Sequence, residues 1–272
     1  MPTDTPAPTD ASFADVAERV APRLYRIGLR MCGKPDEAED LVQETLLQGF
    51  RKWEQFEGRS NPATWLYTIA GRLCQRKHRR RAGEPARLES LSDLLPVPGE
   101  PVLALPASDE GGPLNEHVRK DAERAVAGAL AKLPAPARLS LVLADIAELS
   151  IPEIAGILGL KEATVRTRVH RARLQLRRAL LEQLPVRQAP PPDHDRQVCL
   201  DLLQSKQEAM DRGAPFPFSG QELCARCRSL FSTLDLGRET CASLGRGDLP
   251  PAIQELIRKQ REEASPPPPR RS

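Results

Sequence analysis

The chain has 272 residues, 40% of them hydrophobic, and a formal net charge of +3. This near balance of charge excludes a generally basic nucleic-acid coat, and no run approaches the roughly 18–20 apolar residues that cross a membrane. Residues 1–13 lack the basic and apolar segments of a signal peptide, so we expect a cytoplasmic protein without a membrane partner.

Proline-rich segments divide the chain. Residues 85–113 hold six prolines, residues 185–192 hold four, and four consecutive prolines stand at 266–269. Such composition predicts linkers, hinges and disordered tails. The predicted organisation is a helical block at 12–82, a flexible linker at 83–113, a second helical block at 114–184, a hinge at 185–193, a third block at 194–261 and a disordered tail at 262–272.

The first block predicts three helices. Apolar residues recur at three- and four-residue steps from Phe13 to a stop near Gly33, a second helix is predicted from Pro35 to Trp53, and a third begins at Pro62. No segment of the chain shows the period-two alternation that is typical of strands. The fold is therefore predicted to be all-α.

Charge is segregated within this block. Residues 36–44 carry five acids and no base, whereas residues 72–81 carry six bases and no acid. This pattern indicates two partners of opposite charge, such as a basic protein surface and DNA phosphates. Asp40, Gln43 and Glu44 are spaced by three and four residues, which places them on one side of the second helix.

Residues 150–178 have the pattern of a helix-turn-helix, whose second helix enters the major groove of DNA. Ser150 and Glu153 can form a capping box at the start of its first helix, and Gly159 predicts the turn. Lys161 stands at the N-cap of the second helix, where Ser or Asn is usual, so this helix start is predicted to be weak.

In this order, the motifs resemble regions 2 and 4 of sigma-70-type factors of RNA polymerase, and most of all their extracytoplasmic function (ECF) group. Region 2 is matched by Asp40-Leu41-Val42-Gln43-Glu44-Thr45, Phe50, Trp53, Phe56-Glu57-Gly58, Thr64–Ala70 and the arginine run. The helix-turn-helix, preceded by Leu133-Pro134, looks like region 4. The resemblance implies a transcription initiation factor rather than an enzyme.

The resemblance also implies partner surfaces. Core RNA polymerase would be bound through its β′ clamp helices and its β flap, and the residues that match the clamp-binding surface are Asp40, Leu41, Gln43 and Glu44. The −10 promoter element would be bound by the next loop and helix, where the loop offers polar atoms to a flipped-out base and the helix offers cations to phosphates. These candidates are Arg59, Ser60, Asn61, Arg72, Arg76, Lys77, Arg79 and Arg80. Trp65 is predicted to lie in the core instead.

Outward residues early in the second helix of the helix-turn-helix are the candidates for reading the −35 element. Arg can bind guanine with two hydrogen bonds, and Thr can contact a phosphate or a thymine methyl group. The candidates are Lys161, Glu162, Thr164, Arg166, Thr167, Arg168 and Arg171. His170 has no partner at ligand spacing and is interpreted as a surface residue.

The third block contains four of the six cysteines. In a reducing compartment these are expected to be thiols or metal ligands rather than disulfides. Cys224 and Cys227 form a CxxC pair, and with Cys199 and Cys241 they can offer four thiolates to Zn(II) or another soft cation such as Cd(II), with Cu possible.

The block resembles zinc-binding anti-sigma domains and the tails of CorE-like metal-responsive sigma factors. It departs from the anti-sigma motif because Gly220 stands in place of the histidine, so Cys241, or else His194, would be the fourth ligand. The resemblance implies metal-dependent regulation within one chain, through contact of the Cys-rich block with the sigma regions. A structural zinc module and a thiol redox switch are the alternatives.

Two other functions compete with the sigma-factor interpretation. A stand-alone helix-turn-helix regulator would bind duplex DNA unaided, but it leaves residues 36–81 unexplained. A zinc enzyme would need an open metal position with a neighbouring acid or base, and the sequence offers no such set.

Overall fold

The computed structural model describes residues 12–58, 60–77, 94–95, 99–104, 116–218, 222–244 and 249–264. Within these ranges the chain forms ten α-helices, one 3-10 turn and a single pair of two-residue antiparallel strands, which confirms the all-α prediction. The helices are α1 (Phe13–Cys32), α2 (Pro35–Arg51), α3 (Pro62–Lys77), α4 (Glu116–Lys132), α5 (Ala135–Asp145), α6 (Ile151–Leu158), α7 (Glu162–Gln183), α8 (Arg196–Asp211), α9 (Ala225–Ser243) and α10 (Pro251–Ala264). The strands are β1 (Val102–Leu103) and β2 (Val186–Arg187).

Helix α1 is delimited by capping at both ends. The Ser12 hydroxyl accepts a hydrogen bond from the Asp15 N–H at 3.3 Å, and the Asp15 carboxylate accepts one from the Ser12 N–H at 3.2 Å. This capping box satisfies two backbone donors that the helix itself cannot pair. Gly33 closes the helix with a φ of 77°, a left-handed conformation that glycine adopts without strain.

Helices α1, α2 and α3 pack as a bundle. A Cβ atom on Gly28 of α1 would lie 3.0 Å from the Cα of Ala38 on α2, so these two helices meet at backbone distance. Helix α2 starts at Pro35, as predicted, but ends at Arg51. Trp53, the predicted end, instead opens the 3-10 turn at Trp53–Gln55 that leads towards α3.

The helix-turn-helix prediction is confirmed for α6 and α7. Ser150 and Glu153 form the expected capping box, with the Ser150 N–H donating to the Glu153 carboxylate at 2.8 Å. Gly159 closes α6 with a φ of 66°. Lys161 occupies the N-cap position of α7, but its side chain makes no capping hydrogen bond. This matches the weak helix start that the sequence predicts.

Helices α8, α9 and α10 form the third block. The Asp195 carboxylate caps α8 by accepting the Val198 N–H at 3.0 Å. Helix α9 packs against α4, α5 and α7, whereas α10 packs against α1 and α2. The Arg261 guanidinium of α10 donates to Asp15 at 3.0 Å and to Glu18 at 2.7 Å on α1.

The three predicted blocks are in contact with one another within the described residues. One continuous apolar core includes Leu24 of α1, Leu141 of α5, Cys241 of α9 and Ile253 of α10. Helices bury their apolar faces against one another, and here the faces that meet come from all three blocks.

Parts of the predicted linker and hinge are ordered against this body. Strand β1 lies in the predicted linker, β2 lies in the predicted hinge, and the two pair in antiparallel register. Leu94, also in the predicted linker, is buried in a smaller apolar cluster with Leu174 of α7 and residues of α8 and α9. No helix in the described ranges combines the length and the apolar character that a bilayer crossing requires.

Candidate nucleic-acid interface and thiol cluster

The acidic face of α2 is accessible. Asp40 and Glu44 are exposed and Gln43 is half-buried, and all three line an open cleft between α2 and α3. Lys77 on α3 lies on the opposite wall, with its Nζ atom 3.9 Å from an Asp40 carboxylate oxygen. The prediction that Leu41 belongs to the polymerase-binding surface needs correction. Its side chain is only 1% exposed and lies in the core, where it cannot reach a partner.

The cationic side of α3 faces solvent. Arg72, Arg76 and Lys77 are exposed, as are Ser60 and Asn61 in the preceding loop. The Asn61 side-chain oxygen accepts the Ala63 N–H at 2.9 Å and thereby caps the start of α3. The remaining candidates, Arg59, Arg79 and Arg80, lie outside the described residues.

The aromatic residues of region 2 pack together. Trp65 is half-buried, and its ring centroid lies 6.1 Å from that of Trp53 and 5.3 Å from that of Phe56. This packing is consistent with the prediction that Trp65 belongs to the core. Tyr67 is 2% exposed and is therefore not a stacking surface for an unpaired base.

The start of α7 presents the −35 candidates in two groups. Lys161, Glu162, Thr164 and Thr167 are exposed, whereas Arg166, Arg168 and Arg171 are half-buried. The Arg166 guanidinium lies 3.8 Å from the Glu162 carboxylate one turn earlier. The exposed group faces solvent in this conformation, and the arginines are partly covered by other parts of the chain.

A buried ionic network covers a second face of α7. Arg173 is 4% exposed and pairs with Asp145 of α5 at 2.7 Å and with Asp211 of α8 at 2.6 Å. The His170 Nε2 atom lies 2.7 Å from the Asp211 carboxylate, so the interpretation of His170 as an unpartnered surface residue is wrong. Arg177 pairs with Glu100 of the predicted linker at 2.7 Å.

The network favours the charged forms of Asp211 and Arg173. Burial alone would raise the pKa of Asp211, but the hydrogen bond from His170 and the positive charge of Arg173 hold this pKa below its ordinary value. The two carboxylates likewise raise the pKa of Arg173 against the effect of its burial. Asp211 is therefore an anion placed among the cations of α7, a role that no local sequence spacing signals.

Three of the four predicted metal ligands adjoin in the third block. Cys224 is the N-cap of α9, and its Sγ atom accepts the Cys227 N–H at 3.3 Å. Burial and the neighbouring thiols of Cys224 and Cys199 raise the pKa of Cys227 to about 12. The Cys199 Sγ atom lies 3.9 Å from the His194 carbonyl oxygen.

Cys224 ionises more readily than an ordinary cysteine thiol. Although burial opposes ionisation, hydrogen bonds from backbone N–H groups of Cys227, Asp193 and Arg226 lower its pKa. Soft thiolates at the start of a helix fit a soft cation chemically. The geometry is incomplete, because no three His, Cys, Asp or Glu side chains in the described residues converge on one metal position.

Cys241 does not belong to this cluster. It lies on α9 with Cys227 but 14 positions later, which separates the two by about 21 Å along the helix axis. Its side chain is fully buried near Arg30, Asp145 and Arg173 in the main core. The four-thiolate arrangement is thus not formed, and His194 is the only other candidate ligand named by the sequence.

Two family models match the chain, sigma-70 region 2 at residues 16–84 and sigma-70 region 4 at residues 123–176. ECF RNA polymerase sigma factor SigE of Mycolicibacterium smegmatis is 36% identical over 61% of this chain and 60% of its own length. ECF RNA polymerase sigma factor SigW of Bacillus subtilis is 31% identical over 62% of this chain and 89% of its own length.

A solved structure of the sigma factor RpoE from Bartonella quintana, in complex with the anti-sigma factor NepR, is 30% identical, with a TM-score of 0.41. It covers 62% of this chain and 96% of that one.

Proposed function

This chain belongs to the ECF family of RNA polymerase sigma factors, and we propose how its surfaces divide the work of promoter recognition. As a sigma factor it serves promoter-directed transcription initiation. In the proposal, the acidic face of α2 docks on basic side chains of the core enzyme, α3 binds the −10 element and α7 binds the −35 element. This division is supported by one combination of features: an open acidic face, exposed cations on the adjacent helix and a helix-turn-helix with a basic second helix.

Transcription with purified core polymerase tests the docking face. The template would carry the promoter of the protein's own gene, and the readout is the amount of run-off transcript together with co-elution of the two proteins. The double variant Asp40→Ala, Glu44→Ala is expected to lose co-elution and transcript together, because both carboxylates lie on the proposed contact face. Glu239→Gln, which neutralises an exposed acid on α9, serves as the control and is expected to behave as wild type.

We further propose that Cys199, Cys224 and Cys227 hold Zn(II) or another soft divalent cation, with His194 as the fourth ligand. The adjacency of the three thiols supports this proposal, and so does the lowered pKa of Cys224. A bound cation would supply a cross-link between the start of α8 and the start of α9. Because α9 packs on α4, α5 and α7, such a cross-link is suited to regulate region 4 from within the chain.

Metal content of purified variants tests the cation site. Cys224→Ser and Cys227→Ser are expected to lose bound zinc, cadmium or copper in equilibrium dialysis. Cys241→Ala is expected to retain it, because Cys241 lies about 21 Å away along α9. Equal metal content in wild type and Cys224→Ser would remove the proposal.

A thiol redox switch is the second candidate for this cluster. The difference in acidity between Cys224 and Cys227 favours it, since one thiol is poised to react and the other lies beside it. Oxidation with a disulfide reagent followed by mass spectrometry distinguishes the two functions. A Cys224–Cys227 disulfide that forms reversibly in metal-free protein, and that alters transcription, would support the switch.

A further inference from the structure

One face of α7 carries three cationic or protonatable side chains that converge on a single carboxylate. Arg166, His170 and Arg173 are spaced by four and three residues, which aligns them along the helix. Their distances to the Asp211 carboxylate are 4.0 Å, 2.7 Å and 2.6 Å, respectively. The Asp211 side chain is only 6% exposed.

This carboxylate comes from outside the helix-turn-helix. Asp211 is the last residue of α8 in the third block, whereas the other partner of Arg173, Asp145, belongs to α5 next to the helix-turn-helix. An anion held by several cations of a recognition helix has the chemistry of a DNA phosphate contact. Arg166 lies early in α7, the part of a recognition helix that approaches base edges.

The remaining contacts of the third block hold the two DNA-binding regions together. Helix α9 packs on region 4 and α10 packs on region 2, so the block bridges them. The regions also touch directly, since a Cβ atom on Gly71 of α3 would lie 3.3 Å from the Ile157 Cγ2 atom of α6. The names of the promoter elements place them about 25 base pairs apart, or about 85 Å of B-DNA at 3.4 Å per base pair.

We propose that the chain has a closed, DNA-excluding state in which Asp211 of α8 takes the place of a DNA phosphate on α7. Regions in direct contact cannot occupy two elements at that separation, so the contacts that join them must open before both are bound. DNA phosphates and Asp211 then compete for the same cations. This inference rests on the proposed function, because it presupposes that α7 is the −35 reader.

Binding of DNA to the full-length chain tests the competition. The probe is a fluorescent 40-base-pair duplex carrying the promoter of the protein's own gene, titrated without polymerase at fixed salt concentration. Asp211→Asn keeps the shape of the side chain but removes the anion, and we expect about tenfold tighter binding than for wild type. Asp201→Asn removes the same charge from an exposed position of α8 and is the matched control, with wild-type affinity expected.

Two further measurements make the outcome unambiguous. Hydrogen exchange of α8 in Asp211→Asn is expected to speed up while that of α1–α3 stays unchanged, which shows that the variant is folded and that the block has loosened. Asp211→Glu, which keeps the anion, is expected to restore weak binding. Equal affinity of wild type, Asp211→Asn and Asp201→Asn, with faster exchange in α8, would overturn the closed state.

Transcription with core polymerase separates this failure from failure of the proposed function. If every variant supports promoter-specific transcription and all bind the duplex equally, the sigma-factor assignment of surfaces stands and the competition does not. If neither wild type nor Asp211→Asn yields transcript with core polymerase, the proposed division of surfaces fails, and the inference fails with it.

Discussion

Two helix-interior glycines meet opposite surroundings, and their replacement is expected to have opposite effects. A Cβ atom on Gly28 would lie 3.0 Å from both the Cα and the Cβ of Ala38, whereas one on Gly128 of α4 would meet nothing within 4 Å. Gly28→Ala should lower the free energy of unfolding by about 1–3 kcal/mol, because α1 and α2 must move apart. Gly128→Ala should raise it by about 0.5–1 kcal/mol, because alanine loses less backbone entropy.

Urea unfolding followed by circular dichroism measures both changes. The comparison is internally controlled, since the chemical change is identical and only the neighbours differ. Equal stability changes in the two variants would contradict the close approach of α1 and α2.

Burial divides the six thiols by reactivity. Cys74 and Cys241 are buried, and burial raises the pKa of Cys74 to about 12 and that of Cys241 still further. Both therefore remain protonated thiols near neutral pH, and we expect neither to be alkylated by iodoacetamide in the native protein. Mass spectrometry of the labelled peptides, with urea-unfolded protein as the positive control, checks this. Rapid labelling of Cys241 in the native chain would contradict its place in the core.

Single-residue roles were predictable only where local chemistry decides them. The CxxC pair of Cys224 and Cys227 is visible in the sequence, because its members are one helical turn apart. Cys241 looks equivalent in the sequence, but its position 14 residues along the same helix places it in another core. The partner of His170 lies 41 positions away, so no spacing rule could have found it.

At the scale of elements, the two helices of the helix-turn-helix differ in how they start. Helix α6 has a complete capping box at Ser150, and α7 has no side-chain cap at Lys161. Ser150→Ala should lower the free energy of unfolding by about 1 kcal/mol, and Lys161→Ser should raise it by a few tenths to about 1 kcal/mol. Thermal unfolding at equal protein concentration measures both. A destabilising Lys161→Ser would contradict the assignment of Lys161 as an uncapped N-cap.

Element boundaries followed from the sequence where capping residues mark them. The start of α6 at the Ser150–Glu153 box and the end of α1 at Gly33 are examples, because the satisfied backbone groups lie within four residues. The end of α2 was misplaced by two residues, since Trp53 continues the helical pattern of apolar residues while its backbone tightens into a 3-10 turn. Periodicity identifies the apolar face of a helix, but it does not say which other helix covers that face.

For the whole molecule, salt dependence tests how many phosphates are contacted by the sigma factor bound to core polymerase. Arg76 is exposed on α3, and its replacement by alanine should reduce the slope of log affinity against log salt concentration by about 1. Arg258→Ala on α10 is the matched control, because that exposed arginine pairs with Glu255 and Glu262 of its own helix. Filter binding of the holoenzyme to promoter DNA across a salt series gives the slopes. An unchanged slope for Arg76→Ala would place the −10 contact elsewhere.

The relation between the blocks was the least predictable level. Composition correctly marks residues 83–113 and 185–193 as proline-rich, but it cannot show that β1 and β2 pair across them. From the sequence alone, the apolar residues of α9 and α10 are expected to form a separate core within the third block. In the structure they complete a core that α1 and α5 begin, because contacts between distant segments leave no signature in local periodicity.

The ladder of β1 and β2 ties the chain from Val102 onward to the residues that follow α7. While this pair lasts, the chain between the end of α3 and the start of β1 comprises only positions 78–101. Fully drawn out at 3.3–3.6 Å per residue, that stretch measures roughly 80–90 Å, close to the about 85 Å between the two promoter elements. This strand pair of two residues would therefore limit the length of DNA between the −10 and −35 elements that the factor can span.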